Sequence, residues 1–98
     1  MELDLCDIAK KAALASGAKQ VVLFGSHARG EATASSDVDL LFIFADGTNL
    51  LQAGLAAYKA LFPPVYSFDI LPINETDFAN GETLIARIAA REGRVLYA

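Results

Sequence analysis

At 98 residues the chain is long enough for one hydrophobic core and too short for a second substrate-binding domain, so residues 1–98 read as a single domain. Hydrophobic residues make up 54% and charged residues only 20%, while the net charge of −4 and eight scattered lysines and arginines disfavour a nucleic-acid surface. An acidic start, no apolar run of membrane-spanning length and a lone Cys6 exclude a signal peptide, a membrane anchor and an internal disulfide, which together predict a cytoplasmic protein.

Such apolarity has two readings. Either a hydrophobic patch awaits a partner, or the many alanines raise the count without creating one.

Along residues 3–15, Leu5, Ile8, Ala12 and Ala15 recur at three- and four-residue steps, with acids early and lysines late, which predicts an amphipathic helix ended by Ser16-Gly17. Gln20 to Phe24 is a short β-branched and aromatic run that reads as a strand buried on both faces. Gly25-Ser26 breaks it, and residues 28–34 form a polar connection with room for one helical turn. Residues 37–44 are the longest strand candidate; in extended chain Asp37, Asp39, Leu41 and Ile43 share one face, and Val38, Leu40, Phe42 and Phe44 the other.

A turn cluster at residues 46–49 precedes a helix in which Leu51, Leu55, Tyr58 and Leu61/Phe62 repeat at helical spacing, stopped by Pro63-Pro64. Residues 65–71 read as a third buried strand containing one acid, Asp69. Residues 74–80 read as a polar linker and residues 82–91 as a last helix, with Leu84, Ile85, Ile88 and Ala89 on one side and Gly93 as its stop. Residues 94–98 either add a short strand or pack along an edge.

The chemistry concentrates in two places. Glycine at position 25 permits close backbone approach, and Ser26 at a helix start offers a hydroxyl and an N–H to a phosphate oxygen; alone, this is also what an ordinary capped turn looks like. Asp37 and Asp39, about 6.5–7 Å apart on one strand face, suit a divalent cation, although a lone D-x-D is equally a solvated strand start. Asp69 alters that balance, because an acid within an apolar strand needs a cation, hydrogen bonds or water, and a third carboxylate on the same side completes a set suited to one or two Mg²⁺ ions. Arg29 suits either a phosphate or a carboxylate partner such as Asp37 or Glu31. His27 reads as solvent-facing, and Tyr58, Tyr66 and Tyr97 as packing residues.

The segment G-S-H-A-R-G-E-A-T-A-S-S-D-V-D-L-L, with Asp69 downstream, resembles the signature of the DNA-polymerase-β-like nucleotidyltransferases, specifically the minimal nucleotidyltransferases encoded beside HEPN proteins in prokaryotes. The resemblance implies an α/β (α+β) fold with a small mixed sheet flanked by helices. It also implies Gly25, Ser26 and Arg29 on the phosphates of ATP, and Asp37, Asp39 and Asp69 as catalytic and Mg²⁺-binding residues, with two ions. By the same resemblance, the protein is an antitoxin that transfers AMP to a tyrosine of a HEPN ribonuclease toxin. Two alternatives stay open: an antitoxin that acts by binding alone, and transfer to a small-molecule hydroxyl.

Overall fold

The computed structural model describes residues 2–33, 35–62 and 67–98. Among them the chain runs α1 (Glu2–Ser16), β1 (Gln20–Phe24), α2 (Ser26–Arg29), β2 (Val38–Phe44), α3 (Leu50–Ala60), β3 (Phe68–Asn74), α4 (Glu75–Asn80), α5 (Leu84–Glu92) and β4 (Arg94–Tyr97). The strands form one mixed sheet in the order β3-β2-β1-β4. β1 lies antiparallel to β2 and to β4, whereas β2 and β3, joined through α3, are parallel. The architecture is therefore the small mixed sheet flanked by helices that the resemblance implies, and residues 94–97 resolve as its fourth strand.

Both faces of the sheet are covered, as the unbroken apolarity of β1 requires. Val38, Leu40, Phe42 and Phe44 point to one side with Val21 and Leu23, where they meet Leu5, Ala9, Ala12 and Ala13 of α1 and Ala53 and Ala57 of α3. Leu41 and Ile43 point to the other with Val22, Phe24 and Ile73, under Ala86 and Ala89 of α5. The two-residue alternation of β2 thus divides the core as its sequence dictates. Alanine is the residue these helices turn inward, which brings their backbones close to the sheet and to one another.

On α3 this reverses the reading of its larger residues. Leu51 is 75% exposed, Leu55 and Tyr58 stand about half exposed, and Phe62 beside them packs edge-on against the Tyr58 ring at 4.7 Å. The apolar repeat forms a real stripe, but an outward one, because Ala53, Ala57 and Leu61 have the same periodicity and the smaller side chains let α3 approach α1. Alanines line the interior, and a hydrophobic patch nevertheless lies on the surface, so the reading in which alanine raises the count without a patch does not hold. Leu84 of α5 likewise faces outward.

Two further expectations are corrected. The third strand is not buried: β3 is an edge strand whose Asp69 and Leu71 are exposed, while Phe68, Ile70 and Pro72 lean toward α3. The stop at Pro63-Pro64, the start of that strand at residues 65–66 and Tyr66 lie outside the described residues. The linker at residues 74–80 is the end of β3 followed by α4, because Asn74 caps the helix by accepting from the Asp77 N–H at 2.8 Å. Asn49 and Thr83 cap α3 and α5 in the same way.

Candidate functional site

The predicted residues meet at one end of the sheet. In the pairing registers Phe24 stands opposite Asp39, and Asp39 opposite Asp69, so the end of β1 and the beginnings of β2 and β3 form one row across three strands. Parallel pairing makes this row possible: both acids lie near the start of their strands, and Val38 N–H donating to Ser67 C=O at 2.7 Å sets the alignment. Asp37 precedes β2 by one residue and is exposed.

Gly25 closes over this row. Its backbone has φ 76° and ψ −156°, a conformation open essentially to glycine alone. A Cβ at this position would lie 2.2 Å from Asp39 Oδ2, so absence of a side chain is what lets the turn into α2 rest against the carboxylate. The turn from β1 to α2 and the Asp39–Asp69 pair are therefore one structure, with Ser26 as the first helical residue.

The electrostatics follow from this packing. Burial pushes the Asp39 carboxyl above its ordinary value, Asp69 pushes it further through a side-chain hydrogen bond and like charge, and Asp37 adds to the effect, while His27 pulls in the opposite direction. Like-charged carboxylates held this close repel one another, which a proton or a cation relieves. Among the described residues no three His, Cys, Asp or Glu side chains stand together as a formed metal site. The fit rests instead on Asp39 and Asp69, an oxygen-only pair suited to a hard divalent cation, with Asp37 at its margin.

α2 carries no fully buried side chain; Ala28 leans on the core, and polar tethers hold the two flanks. On one flank His27, partly buried rather than solvent-facing as expected, places Nε2 3.3 Å from Ser36 C=O, directly before Asp37. Ser36 Oγ in turn accepts from Thr33 N–H at 2.9 Å. On the other flank Arg29 adopts the carboxylate-pairing role open to it: Nε donates to Glu31 at 2.8 Å and Nη1 to Glu92 at 2.9 Å. Glu92 lies 63 residues along the chain, and no local sequence pattern links it to the site. Tyr58 and Tyr97 lie away from the row: Tyr58 belongs to the α3 stripe, and Tyr97 of β4 packs against the core on the side covered by α1.

This arrangement of strand, glycine turn and carboxylates agrees with a family match across residues 5–96, to the nucleotidyltransferase domain. The chain belongs to the nucleotidyltransferase domain family. Solved structures resemble it over nearly its whole length. A protein from Sulfolobus solfataricus assigned as a nucleotidyltransferase is 19% identical, with TM-score 0.63 over 96% of this chain and 80% of that one. A toxin–antitoxin structure with AMP-PNP is 18% identical, with TM-score 0.67 over 99% and 73%. A protein assigned as a minimal nucleotidyltransferase is 28% identical, with TM-score 0.62 over 94% and 89%. No curated protein matches the sequence. The nucleotidyltransferase fold is thus shared with each, and the row of Phe24, Asp39 and Asp69 occupies the sheet end on which the Gly25–Ser26 turn converges. No helix among the described residues of this nucleotidyltransferase domain is long and apolar enough to cross a membrane.

Proposed function

We propose that this domain catalyses Mg²⁺-dependent transfer of AMP from ATP to a hydroxyl of a partner protein, a tyrosine of a HEPN ribonuclease toxin, and so acts as its antitoxin. The observation that carries the reading is the contact between a side-chain-free Gly25 and the Asp39 carboxylate, itself opposite Asp69. A phosphate held at the Gly25–Ser26 turn lies next to a charged pair that repels itself until a cation is present.

Asp39 and Asp69, with Asp37, would hold Mg²⁺, which when bound neutralises charge developing on the phosphates. Gly25 N–H, Ser26 N–H and the Ser26 hydroxyl orient the triphosphate, and Arg29 at the far end of α2 steadies the same turn. Asp69, the most exposed side of the pair, takes the proton of the acceptor hydroxyl. The acceptor oxygen forms a bond to the α-phosphorus, the bond from that phosphorus to the bridging oxygen breaks, and pyrophosphate leaves. A protein acceptor is supported by the exposed apolar stripe of α3 and by resemblance to a toxin–antitoxin structure.

Incubation with α-labelled ATP, Mg²⁺ and the partner tests this. Label on the partner, lost with Asp39→Ala, is expected. Neutralisation of the partner without label transfer would instead make the protein a binding-only antitoxin, and label on a small molecule without any partner would move the acceptor class.

A further inference from the structure

We propose that Glu92, at the end of α5, is a positioning residue for the phosphate-binding turn, and that it acts through Arg29, which serves as a latch on α2 rather than as a phosphate ligand. This inference rests on the nucleotide reading of the Gly25–Ser26 turn.

The need for a latch follows from the make-up of α2. It has four residues and buries none of them fully, with only Ala28 leaning on the core, so hydrophobic packing holds it weakly; its backbone leaves β1 at Gly25 and turns away again at Gly30, in the left-handed conformation with φ 74°. Two glycine joints bracket one helical turn. A rigid-body tilt of that turn would move Gly25 relative to Asp39, and with it the phosphate relative to the cation. His27 restrains the flank toward β2 through Ser36 C=O. Arg29 restrains the opposite flank, with the two arms of its guanidinium on different acids.

The two acids differ as anchors. Glu31 is 66% exposed in its side chain and lies two residues away on the same loop, so it moves with α2. Glu92 is 27% exposed and belongs to a helix seated on the sheet by the buried Ala86 and Ala89. Directly after it, Gly93 passes so close to the core that a Cβ there would lie 2.4 Å from Val22 Cγ1, and β4 then pairs with β1. Glu92 is therefore attached to the same rigid body as Asp39, and the Arg29–Glu92 pair ties α2 to that body. With both forks of the guanidinium engaged, the cation is already neutralised by carboxylates.

The latch and the phosphate-ligand roles of Arg29 predict opposite signs for one substitution. If Arg29 is a latch, Glu92→Gln loosens α2 and weakens ATP binding, by about 2–5-fold for a pair as exposed as this one. If Arg29 is a phosphate ligand restrained by Glu92, the same substitution frees it and tightens binding. Binding of ATP with Mg²⁺ is measured by calorimetry for the wild type, Glu92→Gln, Arg29→Met and the double variant. The latch expects each single variant to weaken binding and the double variant to be no worse than Arg29→Met alone; tighter or unchanged binding in Glu92→Gln overturns it. Backbone amide exchange supplies a readout without nucleotide: the N–H groups of Ala28, Arg29 and Glu31, which donate to the carbonyls of Gly25 and Ser26, lose protection in Glu92→Gln if the latch holds, and unchanged protection overturns it. A wild type that binds no ATP defeats the nucleotide reading, while the exchange measurement still decides whether Glu92 restrains α2.

Discussion

Asp39 and Asp69 face one another across the parallel pairing of β2 and β3, and the pKa of Asp39 is raised by burial and by that neighbour. A raised folded-state pKa means that the group's favourable contribution to stability is fully present below its unfolded pKa and is lost as pH rises through the folded value. At neutral pH and without a cation the ionised pair therefore works against folding.

Asp39→Asn is accordingly expected to raise the melting temperature in the presence of a chelator at pH 7, on a scale of roughly 4–8 °C per kcal/mol for a domain of this size. Mg²⁺ should stabilise the wild type and leave the variant unmoved, while transfer activity falls on the order of 10³-fold. Thermal melts with and without Mg²⁺ check this; an equal Mg²⁺ increment in both proteins would show that Asp39 is not a ligand.

Gly25 and Gly30 separate backbone strain from contact with the site. Both have positive φ, so an alanine costs about 1–2 kcal/mol of conformational energy at Gly30, in the left-handed helical region, and more at Gly25, whose region is essentially closed to side chains. Around Gly30 a Cβ meets open space, whereas at Gly25 it would strike the Asp39 carboxylate. Gly30→Ala should lose that stability and retain nucleotide binding; Gly25→Ala should lose both. Denaturation curves set beside ATP titrations distinguish them, and equal binding by the two variants would refute the contact argument.

The outward stripe of α3 gives a prediction about surface against core. Leu51→Ser should change stability by no more than about 0.5 kcal/mol, because its side chain is already in water, yet it should weaken capture of the partner protein. Ala57→Leu, on the buried face of the same helix, should destabilise by about 1–3 kcal/mol through overpacking. Urea denaturation and a pull-down check the pair; intact partner binding in a Leu51→Ser, Leu55→Ser double variant would remove the stripe from the interface.

Asp46 titrates the junction between β2 and α4. The Thr76 hydroxyl and backbone N–H both donate to it and lower its pKa below the ordinary carboxylate value. Its contribution to stability is present above the unfolded pKa and is lost as pH falls through the lowered folded value. Thr76→Val removes the hydroxyl donor and should move the Asp46 titration upward, read from its carboxyl chemical shift; an unmoved titration would show that the backbone N–H alone sets it.

Periodicity and residue type made β1, β2, α1 and the placement of Asp39 legible, since alternation along residues 38–44 admits only one division between two faces, whereas Asp37 falls one residue before the strand rather than within it. What the sequence left undecided was competition between two patterns in one segment. In α3 the leucine repeat and the alanine repeat have the same period, and close helix packing, a tertiary property, selected alanine for the interior. In residues 74–80 polarity masked a helix whose signal was present: Asn74 followed three residues later by Asp77 at the cap. The edge position of β3 depends on sheet order, and Glu92 on a contact across 63 residues; neither has a local signature.

Pro72 has a consequence for how the molecule meets others. Val38 N–H bonds to Ser67 C=O, so in this parallel ladder the odd-numbered residues of β3 turn their backbone groups toward β2, and Ile70, Pro72 and Asn74 turn theirs toward the open edge. Proline there gives up no bond within the sheet but withholds a donor from any strand arriving from outside. The open side of the sheet is thereby made a poor template for fibre growth or strand exchange. A partner that recognises the neighbouring hydrophobic stripe must read side chains, so specificity comes from shape complementarity rather than from backbone pairing, which any extended peptide could imitate.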